Sequence, residues 1–168
     1  MLGGVVAATP AAAAVAGGQV YTWGGNSLGQ LGRDGSGLTP GTVSLSLPPG
    51  TLVTDVAAGY GQVLALTSTG KVYAWGWNND GQVGDGTTTN RDRPVLVSMP
   101  AGVTVTAIAA GWGESLALTS TGDVYSWGNP AGLGRSDTTT NATPGRVELP
   151  SGTTATAIGA GGNHGLVP

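Results

Sequence analysis

Two blocks of sequence recur along this chain at a nearly constant interval, and a fixed interval decides architecture before any single residue is weighed. QVYTWGGNSLGQLG at 19–32 returns as KVYAWGWNNDGQVG at 71–84 and, shortened, as DVYSWGNPAGLG at 123–134, which spaces Trp23, Trp75 and Trp127 by 52 residues. A second block follows each of these: VTDVAAGYGQVLALTSTG, then VTAIAAGWGESLALTSTG, then ATAIGAGGNHGLVP. The third copy has lost two positions from its glycine loop, so Gly161 stands 50 residues after Gly111.

Inside each unit the apolar pattern has period two. Val72 and Ala74 alternate with Tyr73 and Trp75, and Leu64 and Leu66 flank Ala65, which is the signature of strands. LALTSTGKVYAWG joins two such strands through Ser-Thr-Gly, the short glycine-bearing link of a β-hairpin. Pro49-Gly50 and the segments around Pro100-Gly102 and Pro150-Gly152 mark further turns. No window has helical period. Four short strands in roughly 50 residues make a propeller blade, and blades must stack because none can bury both of its faces alone. The expectation is an all-β protein of four-stranded antiparallel blades in three repeats (18–69, 70–121 and 122–168), forming a partial propeller or a ring completed by oligomerisation.

Composition supports a packed fold. The 32 glycines and 10 prolines would suggest disorder alone, but 39% hydrophobic residues and five tryptophans mark the glycines as turn residues. With 9% charged residues and a net charge of −3, the scattered Lys71, Arg33, Arg91, Arg93, Arg135 and Arg146 form no stripe for a phosphate backbone, so no nucleic-acid partner is expected. The absence of cysteine removes disulfides, thiolate metal sites and cysteine nucleophiles. The alanine-rich segment 1–17 lacks a basic start, contains Pro10 and is short for a membrane span. It reads either as a leader remnant or as a degenerate strand, residues 7–16 aligning loosely with AAGYGQVLAL.

The phrase VxxIAAGxxxxLALTxxGxVYxWGxNxxGQxG resembles the repeat of the regulator of chromosome condensation family over residues 18–168. The resemblance implies propeller blades, usually about seven to a ring, so three repeats fall short of closure. It also implies two styles of function. One is nucleotide exchange on a small GTPase of nuclear transport with chromatin binding, and no residue here matches that exchange surface. The other is the style of secreted bacterial propellers that grip β-lactamases with loop aromatics, which this composition is similar to and which favours an extracellular or cell-surface place.

Internal comparison separates fold from function. Tyr21, Tyr73 and Tyr125, with Trp23, Trp75 and Trp127, recur in every copy and are expected to form the blade core. Positions that vary inside the constant frame are the binding candidates: Tyr60 and Trp112 after the AAG turn, where the third copy has Gly162, and Trp77 after the WG, where the other copies have Gly25 and Asn129. All three lie in loops, where rings are free to meet a partner. His164, in the frame position of Gln62 and Glu114, lacks companions for catalysis or metal binding. Asp80, Asp85 and Asp92 with Asn78 and Asn79 do not have the alternate spacing of a calcium loop and read as turn chemistry. No P-loop and no nucleophile elbow is present. The chain is thus expected to be non-enzymatic and without cofactor or metal. Its partner would be another protein through Tyr60, Trp77 and Trp112, or a second copy of itself, a dimer closing a six-bladed ring. A GTPase regulator is the weaker alternative.

Overall fold

A computed structural model describes residues 18–137, 139 and 141–168; the readings of 1–17 lie outside the described residues. The strands are β1 (Val20–Thr22), β2 (Gly41–Val43), β3 (Val53–Ala58), β4 (Gln62–Thr67), β5 (Val72–Gly76), β6 (Arg91–Leu96), β7 (Val105–Ala110), β8 (Glu114–Thr119), β9 (Val124–Gly128), β10 (Gly145–Arg146), β11 (Gly159–Ala160) and β12 (Gly165–Leu166). One 3-10 turn, Pro130–Gly132, stands in the shortened third loop, where the Asn129 side chain accepts from the Ala131 N–H. The fold is all-β, and its sheets form an open, partial propeller.

Two four-stranded antiparallel meanders, β3-β4-β5-β6 and β7-β8-β9-β10, are the complete blades. The pairs β1-β2 and β11-β12 are two-stranded sheets, one on each side of them. The blades are therefore out of phase with the sequence repeats: each repeat supplies the last two strands of one sheet and the first two of the next. The reason is the hairpin across the repeat boundary. Leu66 faces Val72, the Thr67 N–H donates to the Lys71 carbonyl at 2.9 Å, and Gly70 closes the link with φ +71°, the left-handed residue that a three-residue hairpin loop requires.

The main core lies between the blades. Leu64, Leu66, Val72 and Ala74 of the first sheet pack with Val105, Ile108, Ala117 and Trp127 of the second. Trp75 packs with Ala65, Val20 and Val43, which seats β1-β2 on the first blade, while Leu118, Val124 and Ala155 seat the β11-β12 unit on the second. The central strands β4, β5, β8 and β9 are covered on both faces.

The repeat tryptophans carry the blade-to-blade contact, and they do not behave alike. Trp75 and Trp127 are fully buried. Each indole N–H donates to a carbonyl in the loop of the preceding sheet, Trp75 to Gln30 at 3.0 Å and Trp127 to Gln82 at 2.9 Å. Tyr73 and Tyr125 are half-buried. Tyr21 and Trp23, expected in the core, are 49% and 66% exposed. This corrects the reading from recurrence: a repeat tryptophan is buried by the loop of the sheet before it, and among the described residues no sheet precedes β1 to cover Trp23.

Candidate functional site

Three loop aromatics meet at one end of the two blades. Tyr60 stands in the β3–β4 turn, Trp112 in the equivalent β7–β8 turn, and Trp77 directly follows β5. Antiparallel pairing sets Gly76 opposite Gln62, and the Trp77 N–H donates to the Gly61 carbonyl at 2.8 Å, which holds Trp77 beside Tyr60 within one blade. Between blades, the Tyr60 N–H reaches the Gly111 carbonyl at 3.3 Å and draws the Trp112 turn alongside. A Cβ on Gly61 would lie 2.9 Å from Leu28 Cδ1 and 3.0 Å from Trp77 Cβ. Glycine at 61 is what allows both side chains to close on that turn.

The rings form a closed set of edge-to-face contacts, with centroids 5.9 Å apart for Tyr60–Trp77, 5.7 Å for Tyr60–Trp112 and 6.4 Å for Trp77–Trp112. This is the arrangement that aromatic quadrupoles favour. Tyr60 is 65% exposed, Trp112 48% and Trp77 half-buried. Asp80 and Asn129 flank Gly113 next to Trp112 and give the platform a polar border. The three binding candidates are thus brought together, and chemically the assembly offers an exposed apolar surface with a polar margin.

The remaining candidates are placed elsewhere. His164 is exposed, its ring beside Gly161. Asp85 is engaged by Arg91 at 2.6 Å and by Thr87; burial pushes its carboxyl up, but the hydrogen bonds from Thr87 and Arg91 outweigh this and hold it below the usual range. Asn78, fully buried, ties the loop together by accepting from the Val83 N–H at 2.8 Å and donating to the Thr87 and Thr89 carbonyls at 3.0 Å. Among the described residues no three His, Asp or Glu side chains come together as a metal site, and no helix is long and apolar enough to cross a membrane.

Two features escaped sequence reasoning. An apolar groove of about 310 Å³ runs beside β1 and β3, lined by Val20, Trp23, Leu31, Val56 and Tyr60 among others; the missing signal was the exposure of Trp23. The second is Glu114, fully buried with neither carboxylate oxygen at full hydrogen-bond geometry to a partner. An acidic side chain in the frame position of Gln62 was the available clue.

Comparison with known proteins places this architecture. The regulator of chromosome condensation (RCC1) repeat pattern matches residues 17–66, 69–118 and 121–167, and a second pattern of the same description matches 53–82. The chain is 36% identical over 110 residues to the ultraviolet-B receptor UVR8 of Arabidopsis thaliana, covering 64% of this chain and 24% of that one. It is 37% identical over 103 residues to the human E3 ubiquitin-protein ligase HERC2, covering 61% of this chain and 2% of the ligase. Among solved structures, human WBSCR16 superposes with a TM-score of 0.74 at 27% identity, over 84% of this chain and 38% of that one. Prp20p of Saccharomyces cerevisiae, studied with its binding to Gsp1p and histones, superposes with a TM-score of 0.76 at 21% identity, over 89% and 39% of the two chains. The chain therefore spans about a quarter or less of these curated relatives, which are eukaryotic and lend no support to the expected bacterial, secreted setting. Three repeat matches over nearly all of the sequence, on blades of the same fold, establish that this chain belongs to the regulator of chromosome condensation repeat family.

Proposed function

We propose that this segment is a non-catalytic, protein-binding part of a propeller and that Tyr60, Trp77 and Trp112 are its contact surface. The observation that carries this is the convergence of three large rings, from loops of two blades, into one exposed cluster at positions where the repeat frame does not demand aromatics. Binding of other proteins by the yeast relative, Gsp1p and histones for Prp20p, fits the same class of function. Its identity is too low to transfer those partners. The test compares the wild type with Trp112→Ala in capture of proteins from cell extract, followed by titration of whatever the wild type retains. Affinity is expected to fall by about 2 kcal/mol or more, the scale of an aromatic hot spot, while folding stability falls by about 1 kcal/mol from the lost edge-to-face contacts. A large stability loss with unchanged affinity would assign the rings to packing.

A second reading, that the partner is another copy, is supported by the edges of the described sheets. β1 pairs on one side only, with β2, and β12 on one side only, with β11. Open edges carry unpaired backbone groups that folds cover or pair. If β12 of one copy lay beside β1 of another, two copies would each contribute two blades and two halves, six blades in a twofold ring. Trp23 would then gain the carbonyl partner that Trp75 and Trp127 already have. In a longer chain the same edges would be filled from within, so the measurement belongs to these 168 residues: light scattering after size exclusion should report twice 16.4 kDa. A stable monomer at micromolar concentration overturns this reading.

A further inference from the structure

Gln62, Glu114 and His164 stand three residues after Gly59, Gly111 and Gly161 in the repeated turn, and the first of them shows what this position does. Gln62 is fully buried. Its amide Nε2 donates to the Gly111 carbonyl and to the Glu114 carbonyl, both at 3.1 Å, and so ties β4 to the turn of the next blade. The turn after β11 repeats that geometry: the Gly161 N–H donates to the His164 carbonyl as the Gly111 N–H does to that of Glu114, at 2.9 Å in both. The Gly161 carbonyl faces Gly111 as the Gly111 carbonyl faces Gly59. Glu114 thus holds the frame position of Gln62, on a turn whose Gly161 and His164 carbonyls correspond to the two acceptors of Gln62, with a side chain that has a donor only when protonated.

Its surroundings favour that proton. Glu114 is fully buried and neither carboxylate oxygen has a partner at full hydrogen-bond geometry, the His164 backbone N–H acting on the carboxylate only from outside it; Oε2 lies against Gly132 of the 3-10 turn. Burial pushes the carboxyl up to about 7, offset in part by the His164 backbone. Asp80 from the loop after β5 lies beside Gly113, and exposed His164 is the titratable side chain on the β11-β12 turn. No salt bridge found among the described residues involves Glu114.

We propose that Glu114 is a proton-operated latch between the second blade and the β11-β12 sheet: the neutral acid donates to the carbonyls of the Gly161–His164 turn, and ionisation opens the latch. The same seam anchors Trp112, whose N–H is held by the Gly161 and Gly162 carbonyls at 3.2 and 2.9 Å. Opening it loosens one ring of the aromatic cluster. The latch does not depend on that cluster binding a partner.

The carboxyl is raised on folding from 4.5 to about 7, so the unfolded chain loses its proton first. Stability from the neutral acid is fully present below the unfolded value and is lost as pH rises through the folded one. The difference corresponds to a change of at most about 300-fold in the folding equilibrium. The test is urea unfolding of the 168-residue chain from about pH 5 to about pH 9, with infrared detection of the protonated carboxyl. The wild-type midpoint should fall across this range. Glu114→Gln, which restores the donor that Gln62 has, should remove that fall, exceed the wild type at the alkaline end and lack the carboxyl band. His164→Gln should keep the wild-type fall. A flat wild-type profile, a fall that persists in Glu114→Gln, or one abolished by His164→Gln overturns the latch.

Discussion

Replacing Trp75 by alanine is expected to cost about 3 to 5 kcal/mol of folding stability, while Trp23→Ala costs about 1 kcal/mol or less. The two residues are the same repeat position in consecutive copies. Trp75 is fully buried, packs on Ala65, Val20 and Val43 and donates to the Gln30 carbonyl. Its removal leaves a large void between β1-β2 and the first blade, and orphans a carbonyl inside it. Trp23 is 66% exposed, so truncation removes little packing. Urea unfolding of the two variants separates them. Equal losses would show that Trp23 is covered in solution, which a second copy across β1 would explain.

The second large effect is expected at Gly84. Its φ of +77° is one that alanine adopts at a cost of about 1 to 2 kcal/mol, and an added Cβ would lie 2.6 Å from Trp127 Nε1. The indole must then shift and give up its bond to the Gln82 carbonyl. Overpacking of this kind adds about 1 to 3 kcal/mol, so Gly84→Ala should cost about 2 to 5 kcal/mol in all. Gly102 is the control: φ is +80° and nothing stands within 4 Å of an added Cβ, so Gly102→Ala should show the backbone part alone. A difference near zero between the two, measured as denaturant midpoints at constant slope, would mean that the glycine is not what admits the indole.

These expectations mark the boundary between what is local and what is not. Period-two patterning, the Ser-Thr-Gly hairpin links and the glycine loops are local signals, and the strands stand where they point: β4 and β5 pair across Gly70, and β8 and β9 across Gly122. Val20, Val72, Val124, Leu64 and Leu116, constant in the repeat, are all buried. The aromatic candidates were found by the same comparison, because variation inside a constant frame is visible without any homologue.

By itself, then, the sequence determined an all-β chain of repeated blades and the short set of loop aromatics, since strand period, turn chemistry and repetition act within a few residues of one another. The Ser-Thr-Gly hairpin across the repeat boundary likewise put the blades out of phase with the sequence repeats. Tertiary structure alone decided two things. It separated Trp23 from Trp75 and Trp127, because burial of each indole depends on the loop of the preceding sheet and not on the tryptophan's own segment. It also turned Glu114, one polar residue among others in the chain, into a fully buried acid whose carboxyl is pushed up by burial, because desolvation exists only where two sheets close over the side chain.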